Sequence, residues 1–230
     1  LFDPQICPRS PPKKGAFDGL QRVIVDIAFR CGLIEGPAEG ALDSTGYEIR
    51  HASQHFLNHR ANCGVYVSSC WPKLTVVCHT ASYLWVGATV SRGPGYDAPL
   101  FAPTIKKAAG LVSFDRVLAD AGFDSESNHF LCRRILRIRS TVIAINSRGF
   151  RGPPKGKYRR QMTRRFYSQI YKQRVHVESS FSQDKRQLGS ALRARSEAGR
   201  QTECLMRVLT HNLVILLPAP RGISTELSNK

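Results

Sequence analysis

The sequence predicts an α/β domain in which strands alternate with helices, and three observations predict it. Leu74–Cys78 and Tyr83–Val90 are β-branched and aromatic runs a few polar residues apart, the pattern of a hairpin. Arg116–Asp120, RVLAD, is an apolar strand that follows a helical stretch, Ala98–Ala109, and helix then strand implies a crossover to a parallel partner. Two amphipathic helices close the chain, one through residues 171–185 and one from about Glu197 to Leu216, stopped by Pro218.

Taken in order, residues 1–16 carry Pro4, Pro8, Pro11 and Pro12 with Lys13 and Lys14, a composition that reads as a linker. Leu20–Leu33 is apolar enough for a packed helix or a strand, and its periodicity does not choose between them. After Gly36, Pro37 and Gly40, the run Ala41–Leu42–Asp43 followed by Ser44, Thr45 and Gly46 predicts a first strand that ends in a turn at Asp43. Asp124 and Ser125 are placed to cap a helix from Glu126 to about Leu136, and Thr141–Ile145 follows as the fifth strand. Residues 147–160, SRGFRGPPKGKYRR, read as a basic loop; the Gly, Lys and Ser/Thr spacing is not that of a phosphate-binding P-loop.

The 230 residues suffice for one substantial core. Thirty-four Lys and Arg stand against seventeen Asp and Glu, a net charge of +17 that suits nucleic acid as the partner. The excess is local: Arg148 to Arg200 holds fifteen cations against Glu178, Asp184 and Glu197, a net of +12. Seven cysteines without a C-x-x-C pair read as reduced, mostly buried thiols of a cytosolic protein rather than a disulfide scaffold. The longest strongly apolar run, Leu213–Leu217, is too short to cross a bilayer, so no membrane partner is expected. His51, His55 and His59 recur every four residues, but three bare histidines read as surface or DNA-facing groups before they read as a zinc site. Trp71 and Trp85 read as strand packing, with base stacking as the alternative.

The chemistry points to one late stretch, YKQRVHVESSFSQDK. Tyr171, Arg174, Glu178 and Lys185 are three, four and seven residues apart, steps that bring all four to one helical stripe. Phe166, Ile170, Val177, Phe181 and Leu188 form an apolar stripe beside it, which would anchor the polar one. Alone, this is an amphipathic helix with salt bridges; with Asp43 and Asp120, each closing an apolar strand, it becomes a candidate metal site. If the first and fourth strands are parallel neighbours, about 4.8 Å apart, their carboxylates can bridge two divalent cations about 3.5 to 4 Å apart, with Glu178 as a further ligand. Hard oxygen donors select magnesium or manganese.

Those residues resemble the DDE transposases of bacterial insertion sequences, in the branch that includes insertion sequence four. Tyr171, Arg174, Glu178 and Lys185 match its Y-x-x-R-x-x-x-E-x-x-x-x-x-x-K signature, while DSTGYE at Asp43 and DAGFDS at Asp120–Ser125 look like its first and second acidic motifs, in the right order. LGSALRAR and RVLTHNLVIL near the end are similar to family members too. The resemblance implies a ribonuclease H-like core with a mixed five-stranded sheet flanked by helices; the roughly thirty residues between the last predicted strand and Glu178 are too few for the β-rich insertion that some relatives carry there. It implies that Asp43, Asp120 and Glu178 are catalytic and hold two divalent cations, magnesium or manganese. Tyr171, Arg174 and Lys185 would contact the transposon-end backbone, and Arg164 and Arg165 are added as DNA-binding residues from the basic segment. The substrate implied is double-stranded DNA, transposon ends and target, bound by a homodimer in the cytoplasm of a bacterium. On this reading residues 1–35 are a linker or N-terminal remnant, 36–217 the DDE catalytic domain and 218–230 a tail. Leu1, in place of an initiator methionine, reads as the start of a fragment that lacks the module recognising terminal repeats. Two alternatives stand beside it: a decayed transposase that binds DNA without chemistry, and a general ribonuclease H-like nuclease.

Overall fold

A computed structural model describes residues 15–49, 71–147, 152 and 154–218. The ambiguous first segment is a helix, α1 (Ala16–Arg30), because Gln21, Ile24, Val25 and Ala28 recur at helical spacing and are its buried residues. Val25 and Ala28 enter the main core, so part of the stretch read above as linker packs against the sheet. Then follow β1 (Ala38–Gly46), β2 (Glu48–Ile49), β3 (Trp71–His79) and β4 (Trp85–Gly93). α2 (Ala98–Ala109) leads into β5 (Phe114–Ala119), and α3 (Glu126–Phe130), continued by a π-helical turn over Leu131–Ile135, leads into β6 (Ser140–Ile143). The last third holds α4 (Lys157–Arg164), α5 (Ser168–Tyr171), a 3-10 turn over Lys172–Arg174, α6 (Val175–Leu188), β7 (Ala191–Leu192) and α7 (Glu197–Leu216).

The sheet has five strands in the order β4-β3-β1-β5-β6. β3 is antiparallel to β1 and β4, whereas β1, β5 and β6 run parallel, so the sheet is mixed, as the family resemblance implies. Strand alternation sends Leu42, Val77, Val86, Val117 and Ala119 into a core with α1, α2 and the π-helical turn after α3. Ala41, Val76, Trp85, Leu118 and Val142 enter the opposite core, with α6 and α7. α2 lies close on β4: a Cβ at Gly87 would stand 2.7 Å from the Ala108 Cβ, so only glycine fits. The edge strand β4 is closed by the last helix, where Asn212 accepts from Trp85 N (2.8 Å) and donates to Trp85 O (2.9 Å).

Three expectations are corrected. β1 does not end at Asp43 but runs on to Gly46, because the antiparallel ladder with β3 continues to the pair Gly46 and Lys73. The basic segment is not all loop: from Lys157 it is helical, and the Glu126 carboxylate accepts from the amides of Tyr158 (3.1 Å) and Arg159 (3.1 Å) at that helix's start. The late helix is not continuous, since the turn over Lys172–Arg174 tightens it, and of its apolar stripe Val177 and Phe181 are buried while Phe166 and Leu188 remain exposed. Trp85 is core, stacked on His211 with ring centroids 4.0 Å apart, whereas Trp71 is 36% exposed. Cys78, Cys132 and Cys204 are buried free thiols, as expected, and burial pushes each up to about 12.

His129 is buried against Thr141 (Nδ1 to Oγ1, 2.7 Å), and desolvation pushes its pKa down to about 4. The unfolded chain takes up that proton at about 6.5, so this histidine removes stability as pH falls from about 6.5 towards 4. Asp43, which burial raises to about 6, acts in the opposite sense over the same window, so the contribution is read by difference. His129→Gln should lose less stability than the parent in urea unfolding between pH 7 and about 4.5. Equal losses would show that His129 does not titrate there.

Candidate active site

β1 and β5 bring the first two acids together. Their parallel ladder ends at the pair Leu42 and Ala119, so Asp43 and Asp120 occupy the next step, at the carboxyl end of β5. In open α/β sheets this is where ligands bind. On the other side of β1, Asp43 pairs with Val76 of β3, which keeps its backbone in a strand. Asp43 Oδ1 accepts from Ser44 N (2.8 Å), and Oδ2 accepts from Arg174 Nη1 (2.8 Å). The same guanidinium donates through Nη2 to Glu178, one helical turn on. Arg174 thus ties Asp43 to Glu178, with Tyr171 beneath it, ring centroid to Cζ 5.7 Å. The Tyr171 hydroxyl reaches Asp120 Oδ1 at 3.4 Å.

Burial is the main reason that the Asp43 carboxyl is pushed up to about 6, and the charges of Asp120 and Glu178 push the same way. The Ser44 amide and Arg174 pull it down. Among the described residues, one partly buried guanidinium therefore serves three carboxylates. Tyr171 is raised as well, first by burial and then, among the charges around it, by Asp120, while Arg174 lowers it. Among the described residues no three His, Cys, Asp or Glu side chains form a group that could hold a metal as arranged, and the Arg174 guanidinium lies between Asp43 and Glu178.

α6 is fixed at both ends. At its start His176 Nδ1 meets Thr80 O at 2.6 Å and its ring stacks on Tyr83, centroids 5.0 Å apart. In the middle, Trp85 Nε1 donates to Ser180 Oγ (2.8 Å). Towards its end, buried Asp184 accepts from the Tyr47 hydroxyl (2.7 Å) and from Arg207 Nη1 (3.4 Å). Arg207 also donates to the carbonyls of Leu188, Gly189 and Ala191, and the short parallel pair β2–β7 ties the end of β1 to the chain after α6. Glu178 is therefore carried on a helix clamped to the strand that carries Asp43.

The remaining candidates have other neighbours. Lys185 Nζ lies over the Tyr47 ring, 5.5 Å from its centroid, and Arg165 lies over Tyr167 at 5.2 Å. Arg164 and Arg165 line a basic cleft with Arg133 and Arg134. His51, His55 and His59 lie outside the described residues. Sequence reasoning missed Tyr47, Asp184 and Arg207. One signal was present: Asp184 falls on the apolar stripe of Val177, Phe181 and Leu188, where an acid needs a buried partner. Asp124 caps less than expected. Ser125 accepts from Ser127 N, while the Asp124 carboxylate grips Arg159 (2.9 and 3.0 Å to Nε) and Asn146 N (2.9 Å).

Fold and site together define a mixed α/β domain that gathers carboxylates, a tyrosine and an arginine at the carboxyl end of its parallel strands. A family profile described as "Transposase DDE domain" matches residues 35–213, most of the chain, and the chain belongs to that family. No curated protein matches the chain in sequence. Membership supports a transposase acting on DNA. No helix among the described residues is long and apolar enough to cross a membrane.

Proposed function

We propose that the chain carries the catalytic domain of a DNA transposase, ribonuclease H-like and of the insertion sequence four-like branch, over residues 36–217. It would cleave DNA at transposon ends and join the freed strand to target DNA by in-line displacement at phosphorus. The observation that carries this reading is the adjacency of Asp43 and Asp120 on parallel strands, with Arg174 bridging Asp43 to Glu178.

The donor set suits a divalent cation: three carboxylates offer hard oxygens, and the charges of Asp120 and Glu178 help to raise the Asp43 carboxyl. Asp43, Asp120 and Glu178 would hold two magnesium or manganese ions. Such ions, when bound, activate the attacking oxygen and neutralise charge on the leaving oxygen. The chain's own groups do the positioning. Tyr171, kept protonated, donates to Asp120 and orients that carboxylate. Arg174 holds Asp43 and Glu178 in one place and, with Lys185, Arg164 and Arg165, offers donors to the phosphate backbone. Two protomers would act on the DNA ends, in the cytoplasm of a bacterium.

The test is strand joining: duplex DNA with free 3′-hydroxyl ends is incubated with a supercoiled plasmid in magnesium or manganese. Covalent joining of the ends to the plasmid is expected. Binding without nicking or joining in either metal would favour a DNA-binding remnant. Faster cleavage of an RNA–DNA hybrid than of duplex DNA would favour a general nuclease.

A further inference from the structure

Outside the three acids, the π-helical turn after α3 and the helix α4 flank an open cleft of about 720 Å³ whose lining is Tyr158, Gln161 and the cations Arg133, Arg134, Lys157, Arg160, Arg164 and Arg165. No carboxylate is among the described residues lining it. The nearby acids are engaged elsewhere: Asp124 on Arg159 and Glu126 on the first amides of α4. That capping also means that the helix start is already satisfied, so the charge of the cleft comes from side chains on two separate elements.

Several of these cations are oriented in advance. Gln161 Oε1 accepts from Arg133 Nη1 (3.0 Å), and Arg133 lies over the Tyr158 ring at 5.0 Å. Arg160 donates to the carbonyls of Lys155 (2.9 Å) and Gly156 (3.3 Å). Six like charges in one cleft repel unless an anion joins them, and holding them there favours a polyanionic ligand. The Tyr158 ring that could stack on a base is only 8% exposed and has both Arg133 and Lys157 over it, so the cleft offers charge and no stacking face. That is the chemistry of a phosphate-backbone reader and not of a base or nucleotide pocket.

We propose that this cleft is a second, sequence-independent binding site for the backbone of duplex DNA, with Arg133, Arg134, Lys157 and Arg160 as phosphate-contacting residues. The proposal rests on the reading of the chain as a DNA enzyme. α4, eight residues long, spans about 12 Å, which faces roughly three to four nucleotides of one strand at about 3.4 Å each. The cleft joins the acid cluster through Arg165 over Tyr167 and through the Phe166 ring, 5.0 Å from that of Tyr171. Six residues from Arg165 to Tyr171 reach at most about 20 Å, less than one helical turn of duplex. A duplex whose reacting phosphate lies at Asp43 and Asp120 can therefore reach the cleft with its flank.

Fluorescence anisotropy with a labelled duplex of arbitrary sequence, in EDTA across a salt series, reads this site without any chemistry. Against the parent, R133A/R134A/R160A should bind more weakly by the same factor on unrelated sequences. Its slope of log affinity against log salt should be shallower by roughly 2 to 3, about 0.9 for each phosphate no longer neutralised. The exposed pair R134A/R160A, which spares the Arg133–Gln161 bond, should show a reduction of roughly 1 to 2. The all-lysine triple variant should retain most of the slope. Unchanged affinity and slope in both alanine variants, or weakening confined to single-stranded RNA, would overturn the proposal. Absence of strand joining by the parent protein, with the salt slopes of parent and variants as expected, would count against the catalytic reading alone.

Discussion

Alanine in place of Asp43, Asp120 or Glu178 is expected to reduce DNA strand joining by about a thousandfold or more each, while duplex binding in EDTA stays within a few-fold of the parent. The first effect follows from chemistry: losing one ligand of a metal-assisted displacement removes several kcal/mol of transition-state stabilisation, and about 4 kcal/mol is about a thousandfold in rate. The second follows from charge, since removing an acid from a basic surface does not weaken attraction for phosphate. Asp43→Ala carries a further signature. Its carboxylate is the one that burial and neighbouring charge hold in an unfavourable state, so the metal-free variant should unfold at equal or higher urea concentration than the parent. Loss of joining together with a large loss of stability would point to misfolding instead. Full activity in any of the three variants would remove that residue from the site.

The largest effect on stability is expected at Asp184. Its side chain is fully shielded, it accepts from the Tyr47 hydroxyl and Arg207, and Arg207 is itself 5% exposed. Asp184→Ala strands a buried guanidinium, and breaking one side of such a pair costs about 3–5 kcal/mol. Tyr47→Phe removes a single hydrogen bond and leaves the ion pair, so about 1–3 kcal/mol is expected. An apolar pair, Asp184→Leu with Arg207→Met, should be less destabilised than the sum of its single changes, because the uncompensated charge is then gone. Urea unfolding at constant pH measures all of these variants. Additive losses in the double variant would show that the two side chains do not act as a pair.

The parts of this molecule legible in its sequence are those fixed by local pattern. The hairpin β3–β4, the crossover α2–β5 and the last helix follow from β-branched runs and helical periodicity, and all three are found. What was not legible depends on partners distant along the chain. Ser44, Thr45 and Gly46 look like a turn, yet β3 gives them ladder partners and they remain in a strand. Lys157–Arg164 has little apolar content to announce a helix, and the carboxylate that caps it comes from Glu126, some thirty residues earlier. The site shows the same division. The spacing of Tyr171, Arg174 and Glu178 places them near one another, but that Arg174 spans to Asp43 and Tyr171 to Asp120 is a property of the sheet. The clamp of Tyr47, Asp184 and Arg207 needs three segments at once, and only Asp184 gave a local hint.

The Arg174 bridge has a bearing on how the acid cluster holds together. Small zinc domains collapse under chelation because nothing else holds their ligands together. Here a side chain of the same polypeptide already sits between two of the acids, and the sheet below them is assembled by strand ladders and two apolar cores. A cluster tied in this way keeps Asp43 and Glu178 together through a side chain of the same polypeptide, so chelation should leave the protein's urea unfolding unchanged.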